Sequence, residues 1–129
     1  MVYLNRLTQA KRSMKTDQLI EKMRPDTGAV ILNHCSNVTG VLNEVEKIGE
    51  AAKYYGIPFI LDAAQSAGVY PIDAEKMNID ILAVTGHKSL LGIQGIGALF
   101  IREGLKLQPL KSGGTGSKSD SAIRDAAPF

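Results

Sequence analysis

The sequence predicts an α/β fold, with a mostly parallel sheet and flanking helices. Helical and strand patterns alternate along the chain, as they do in repeated βαβ units. The strand segments are apolar at successive positions, which is typical of parallel strands that are buried on both faces. The chain has 129 residues, a length that suits one modest domain, and we expect residues 1–129 to form a single domain.

Two helices are predicted, and the first is short. It covers residues 17–23, with Thr16 as its N-cap and Leu19 on its apolar face. Pro25 follows and is expected to end it, because proline cannot continue a helix.

The second helix has the clearest pattern in the chain. Asn43 as the N-cap and Glu46 three positions later form a capping-box sequence. Gly56 is expected to end the helix, in the position that favours glycine. The apolar residues between these ends recur at intervals of three or four, at Val45, Ile48, Ala52 and Tyr55.

Four strands are predicted, at residues 28–34, 57–61, 79–85 and 97–102. A glycine-rich segment at residues 92–95 leads into the fourth strand. Its glycines resemble a nucleotide-binding loop, but they precede a strand instead of opening a helix, and a tight turn is therefore the better interpretation.

Composition excludes several classes of protein. The net charge is +2, and the densest basic stretch, residues 11–15, contains no aromatic residue, so the chain lacks the pattern of a nucleic-acid-binding surface. No apolar run approaches the ~20 residues that span a bilayer, and no secretory signal is expected at the N-terminus. One cysteine excludes an internal disulfide, and two distant histidines do not have metal-ligand spacing. We therefore expect a cytoplasmic protein.

Polar residues follow three of the predicted strands, at residues 33–37, 62–66 and 85–88. If these strands are parallel neighbours, the three clusters meet at one edge of the sheet, where ligands bind in open α/β folds. Together they supply an amine, a carboxylate, an amide, hydroxyls and an imidazole. A lysine can form an imine with an aldehyde cofactor, while a carboxylate can keep a pyridine nitrogen protonated. Hydroxyl and imidazole groups suit a phosphate.

Four ordered motifs carry a resemblance to a known family. They read HCSNVTG, FILDAAQSAG, DILAVTGHKSLLGIQGIGALFIR and GGTGS, at compatible spacing. In these motifs the chain resembles the central part of class V pyridoxal-phosphate (PLP) dependent enzymes, the aminotransferase and cysteine desulfurase family, over about residues 16–119. The resemblance implies part of the large domain of a fold type I PLP-dependent transferase, so the single domain is expected to be a partial one.

The resemblance implies roles for residues around the cofactor ring. Lys88 would hold PLP as a Schiff base and then shuttle the Cα proton of the substrate. Asp62 would pair with the pyridine nitrogen, and Gln65 would hydrogen-bond the phenolic oxygen. Asn37 would lie close to the same edge of the ring.

The phosphate of PLP would be held by Thr85 and His87. Thr115, in the GGTG motif, matches a threonine that reaches the phosphate of a neighbouring subunit in this family. The resemblance therefore implies a homodimer with the site at its interface.

Each of these residues also has a plainer interpretation. Lys88 could be a solvated surface lysine, Asp62 could cap the next turn and His87 could be a packed neutral histidine. Thr115 could be an ordinary loop residue. Cys35 is interpreted as a small, inert core residue, because the resemblance places the sulfur-accepting cysteine of desulfurases on a much later loop.

The function that we expect is a PLP-dependent enzyme core acting on an amino acid. A desulfurase would convert L-cysteine into alanine and an enzyme persulfide, whereas an aminotransferase would pass the amino group to a keto acid. The resemblance implies further segments on both sides, including a substrate-binding arginine, and the two predicted helices suffice to cover one face of the sheet. The alternative is therefore a truncated, non-catalytic fragment acting through self-association; a generic nucleotide-binding module is a weaker third.

Overall fold

The computed structural model describes residues 16–108. Within this range two helices and four strands follow one another as α1 (Thr16–Ile20), β1 (Val30–Asn33), α2 (Val45–Tyr55), β2 (Phe59–Asp62), β3 (Ile81–Thr85) and β4 (Gly97–Ile101). Every predicted helix and strand is present, and most are shorter than their sequence patterns indicated.

The four strands form one sheet in the order β1-β2-β3-β4. The β1–β2 and β2–β3 pairs are parallel, and β3–β4 is antiparallel, so the mostly parallel sheet is confirmed. Helix α2 makes the crossover between β1 and β2. The strand β4 folds back on β3 because residues 86–96 are too few for a parallel crossover, which takes a dozen or more residues.

The core lies between the helices and one face of the sheet. Alternate residues of β1 and β2 point toward the helices, and Phe59 and Leu61 are fully buried there. Leu32 of β1 stands beside Leu61 in the parallel register and is 6% exposed. The helical side of this core is contributed by Leu19, Val45, Ile48 and Ala52.

The opposite face of the sheet carries a row of four isoleucines. They are partners in the strand register, one from each strand, at Ile31, Ile60, Ile81 and Ile101. Ile31 at one edge is 50% exposed and Ile101 at the other is 43% exposed. The expectation that the strands are buried on both faces is therefore wrong for residues 16–108, in which both helices lie on one side.

Helix α1 ends at Ile20 instead of residue 23. The next residues form a tight turn, in which the Met23 N–H donates to the Ile20 carbonyl at 3.0 Å. Thr16 is the first residue of the helix rather than its cap. Its hydroxyl donates instead to a carboxylate oxygen of Glu44 at 2.6 Å, which links α1 to the start of α2.

Helix α2 begins one residue later than predicted. Glu44 is the cap residue and makes no side-chain capping bond, so the predicted capping box is absent. Asn43 instead donates its side-chain amide to the Asn33 carbonyl at 2.8 Å, which fixes it to the end of β1. The predicted end is confirmed, because Gly56 adopts the left-handed conformation with φ 67°. Tyr55, predicted on the apolar face, is 45% exposed.

Candidate functional site

Three loops leave the sheet at the carboxyl edge of its parallel strands. We call residues 34–44 the first loop, residues 63–70 the second loop and residues 86–96 the third loop. Asn33 is the register partner of Asp62, and Asp62 is the partner of Ala83, so the strands end close together. Because β4 is antiparallel and its Gly97 pairs with Thr85, the third loop begins and ends at this edge.

Asp62, the last residue of β2, is exposed at this edge. Its Oδ1 atom accepts a hydrogen bond from the Ala64 N–H at 2.9 Å, so the carboxylate caps the turn that follows. Within residues 16–108 the other oxygen, Oδ2, has no hydrogen bond and faces no cation within ion-pair distance. One oxygen is thus used by the fold, and the second is available to a ligand.

The end of β3 and the start of the third loop place Thr85, His87 and Lys88 close together along the chain. Thr85 Oγ1 and His87 Nδ1 are 3.1 Å apart, within hydrogen-bond distance. His87 is exposed, so the interpretation of a packed core histidine is wrong, whereas Lys88 is half-buried. The Gly92 N–H donates to the Gly86 carbonyl at 2.7 Å and closes the loop tightly around these residues.

Asn37 and Gln65 belong to the other two loops. Asn37 is exposed in a tight turn of the first loop, where the Ser36 hydroxyl accepts the backbone N–H groups of Val38 and Thr39, each at 3.3 Å. Gln65 is half-buried in the second loop. The structure therefore places six of the expected site residues at one edge of the sheet, namely Asp62, Thr85, His87, Lys88, Asn37 and Gln65.

Two further expectations concern Thr115 and Cys35. Thr115 lies outside the described residues, and its role at a neighbouring subunit remains a prediction. Cys35 is a free, half-buried thiol at the base of the first loop, where its backbone forms a bridge with Leu42. Its inert role likewise remains a prediction.

A buried polar pair, His34 with Ser66, was missed by the sequence reasoning. The Ser66 hydroxyl and His34 Nδ1 are 2.9 Å apart, and the two residues are 2% and 6% exposed. The His34 ring also meets Tyr70 edge to face, with centroids 6.2 Å apart. Burial lowers the pKa of His34, so the neutral imidazole is favoured. Both residues stand in the predicted polar clusters, but the sequence alone does not tell which members point inward.

Other features of the described residues lie apart from this edge. An apolar hollow beside α1, lined by Leu19, Met23 and Val30, lies at the amino end of β1, which is the end of the strand away from the three loops. In residues 16–108 no group of three His, Cys, Asp or Glu side chains is placed to hold a metal ion. No helix in this range is long and apolar enough to cross a membrane.

The fold and the edge together define a class of protein. A mostly parallel α/β sheet that presents an amine, a carboxylate and a hydroxyl–imidazole pair beyond its strand ends has the donor set of a PLP-dependent transferase domain. Residues 5–126 match the family profile described as aminotransferase class-V. The chain therefore belongs to the class V aminotransferase family, whose members depend on PLP.

Curated relatives and solved structures agree with this family. The chain is 38% identical to the mitochondrial cysteine desulfurase of Arabidopsis thaliana, over 78% of this chain and 24% of that protein. It is 38% identical to cysteine desulfurase IscS of Methanosarcina thermophila, over 87% of this chain and 28% of that protein. The chain thus spans about a quarter of the length of these relatives.

Two solved structures have the same fold as the chain. SspA in complex with cysteine superposes with a TM-score of 0.74 at 38% identity, over 82% of this chain and 31% of that one. The apo cysteine desulfurase of Thermococcus onnurineus NA1 gives a TM-score of 0.73 at 40% identity, over 80% and 26%. The predicted fold class is confirmed: these neighbours are PLP-dependent enzymes of fold type I.

Proposed function

We propose that this chain forms the cofactor-binding core of a class V enzyme, in which Lys88 holds PLP as a Schiff base and an amino acid is the substrate. One observation carries the proposal: Lys88 and His87 lie on a closed loop directly after Thr85, the last residue of β3, at the sheet edge where Asp62 ends β2. Because the chain spans about a quarter of its curated relatives, the activity of the whole protein is part of the proposal.

The residues at this edge fit the ring of PLP. When bound, PLP would accept the electron pair released at the substrate Cα. The free Oδ2 of Asp62 would accept a hydrogen bond from the pyridine N–H and keep that nitrogen protonated. The Gln65 side-chain amide would donate to the phenolic oxygen, and Asn37 would lie beside the same edge. The Lys88 amine, once free, would take up and return the Cα proton.

The Thr85–His87 pair fits the phosphate. The Thr85 hydroxyl and the exposed His87 ring, 3.1 Å apart, share one hydrogen bond, and on binding a phosphate each could turn its donor to a phosphate oxygen instead. A second copy of the chain would contribute Thr115 to the same phosphate. We therefore propose a homodimer, and the partly exposed isoleucine row gives an apolar surface that an assembly would cover.

L-cysteine is the substrate to test first. The relatives at 38% identity bear the name cysteine desulfurase, and the solved SspA structure is a complex with cysteine. These names favour cleavage of the cysteine C–S bond over transfer of the amino group to a keto acid. The one cysteine of the chain supports the proposal of a reducing compartment such as the cytoplasm, where thiols remain free.

The alternative is a chain that associates without catalysis, which the partly exposed isoleucine row also favours. Trapping of the cofactor separates the two. We expect PLP added to the purified chain to give a new absorbance band, and borohydride to attach the cofactor covalently to the peptide that contains Lys88. Lys88→Ala is expected to abolish both the band and the attachment.

Lys76→Ala is the matched control, because Lys76 is an exposed lysine outside the three loops and pairs with Asp73 at 3.6 Å. It should trap PLP like the unchanged chain. Attachment spread over several lysines, or equal attachment in Lys88→Ala, would overturn the proposal and favour the non-catalytic alternative. If trapping occurs at Lys88, addition of L-cysteine and then L-alanine would test which amino acid alters the band.

A further inference from the structure

The third loop, which carries Lys88, is joined to the second loop by one side-chain hydrogen bond. The Ser89 hydroxyl donates to the backbone carbonyl of Gln65 at 3.0 Å, in half-buried surroundings. Other hydrogen bonds of the third loop stay within it or go to its ends, as with the Gly92 N–H that donates to Gly86. Among the described residues, Ser89 is thus the polar link between the two loops.

The two loops also touch at Gly68. This residue has φ 91°, and a Cβ built on it would lie 2.7 Å from the carbonyl oxygen of Ser89. A side chain at this position would force the loops apart. Ser89 is therefore held through its hydroxyl, on Gln65, and through its carbonyl, against Gly68.

The second loop is itself fixed to the first. Ser66, next to Gln65, makes the buried 2.9 Å hydrogen bond with His34. The backbone N–H of His34 also donates to the Asp62 carbonyl at 2.8 Å. A continuous set of contacts thus runs from the first loop through the second to Ser89, the residue that follows Lys88.

We propose that Ser89 is a positioning residue, whose hydroxyl sets where Lys88 lies relative to Asp62 and Gln65. The inference rests on the proposed function, since it assigns Ser89 to the alignment of the lysine that would bind PLP. Ser89→Ala leaves the half-buried Gln65 carbonyl without its donor and frees the third loop. Loss of one such bond corresponds to a weakening of PLP binding of about two- to tenfold.

The first measurement is a PLP titration followed by absorbance, with the fraction trapped on Lys88 by borohydride as a second readout. Four forms of the whole chain are compared: the unchanged chain, Ser89→Ala, Ser89→Thr and Thr27→Ala. Ser89→Ala is expected to raise the dissociation constant by about two- to tenfold. Ser89→Thr keeps the hydroxyl and should restore binding. Thr27→Ala removes an exposed hydroxyl that accepts the Arg24 N–H, far from the loops, and should change nothing.

The second measurement needs no cofactor. Hydrogen–deuterium exchange of the chain without PLP should be faster over residues 86–92 in Ser89→Ala, with α2 unchanged as a sign that the fold is intact. Ser89→Thr should exchange like the unchanged chain. A general loss of protection, including α2, would mean that Ser89 is needed for the fold as a whole and would overturn a local positioning role.

The two measurements separate failure of the inference from failure of the proposed function. If the unchanged chain traps PLP and Ser89→Ala binds it with equal affinity, the positioning role is wrong while the proposed function stands. If the unchanged chain traps no PLP, the proposed function fails. The exchange over residues 86–92 then decides whether Ser89 holds the loops: faster exchange supports the link, and unchanged exchange overturns it.

Discussion

At the scale of single residues, the two oxygens of the Asp62 carboxylate have different tasks. Oδ1 accepts the Ala64 N–H at 2.9 Å and belongs to the fold. Asp62→Asn retains an oxygen for that bond and removes the negative charge that would face the pyridine nitrogen. Since hydrogen bonds to charged groups contribute about 1.5–3 kcal/mol, we expect PLP affinity to fall by about tenfold or more while the thermal unfolding temperature hardly changes.

An absorbance titration with PLP measures this effect. Asp26→Asn is the control, because Asp26 is an exposed carboxylate that pairs with Arg24 at 3.1 Å in the turn after α1. Equal affinities for Asp62→Asn and Asp26→Asn would show that the charge of Asp62 does not contribute to binding.

The buried His34 makes stability depend on pH. Burial lowers its pKa below the ordinary value of about 6.5, so on acidification the unfolded chain binds a proton at this residue before the folded chain does. This residue therefore leaves the free energy of unfolding unchanged above about pH 7 and decreases it as the pH falls below about 6.5, toward the lower folded-state pKa. Urea unfolding at pH 7.5 and at pH 5.5 measures the decrease. His34→Asn cannot titrate; if it lost as much stability over this range, His34 would not be the cause.

At the scale of helices and strands, local sequence patterns predicted where the elements lie, whereas contacts between residues distant in sequence determine where some of them begin and end. The start of α2 differs from the prediction because Asn43 bonds to the Asn33 carbonyl, ten residues earlier, instead of capping the helix. No local pattern contains that partner. Gly56 was predictable because the left-handed conformation at a helix end is a local requirement.

The candidate site was predictable for a similar reason. Polar clusters after apolar strands indicate a ligand edge, and the family motifs distinguished Lys88 among many lysines. The inward position of His34 beside the outward Asn33 was not predictable, because alternation along a strand does not tell which face a helix will cover. The partly exposed isoleucine row was not predicted, because a continuous apolar pattern does not show which face of a strand will be covered by other elements.

The contact between α2 and the segment after the second loop depends on Gly49. A Cβ built on this buried glycine overlaps the backbone carbonyl of Met77, which cannot rotate away. Alanine favours a helix over glycine by about 1 kcal/mol, but we expect Gly49→Ala to lower the free energy of unfolding by about 2 kcal/mol or more. Urea denaturation followed by circular dichroism measures the change.

Gly28→Ala is the control, with no heavy atom within 4 Å of its added Cβ and an expected change within about 0.5 kcal/mol. If Gly49→Ala were as stable as Gly28→Ala, α2 would be able to move away from residue 77 at little cost in free energy.

At the scale of the whole sheet, α1 and α2 cover one face of β1 and β2, all of β4 is exposed, and the isoleucine row crosses the other face. Large exposed apolar patches are rare on monomers, and each isoleucine that is buried can contribute about 1.5–3 kcal/mol. A second copy of the chain is the partner that is always present, and a homodimer is the assembly proposed above. We therefore expect the average mass in sedimentation to rise with concentration from that of a monomer toward that of a dimer.

Two lysine substitutions test whether the row is the surface that associates. Ile31→Lys with Ile101→Lys places a charge at each end of the row, where the side chains are about half exposed and the fold can tolerate them. This variant should sediment as a monomer at all concentrations, because burying the charges would be costly. Tyr54→Lys is the control, since Tyr54 is 83% exposed on α2, and it should associate like the unchanged chain.

A monomer at every concentration in the unchanged chain would rule out self-association, whereas association that survives both lysines would assign it to another surface. If the monomeric variant also fails to trap PLP while the control succeeds, the cofactor site requires the assembly, as a phosphate contact from a neighbouring copy implies.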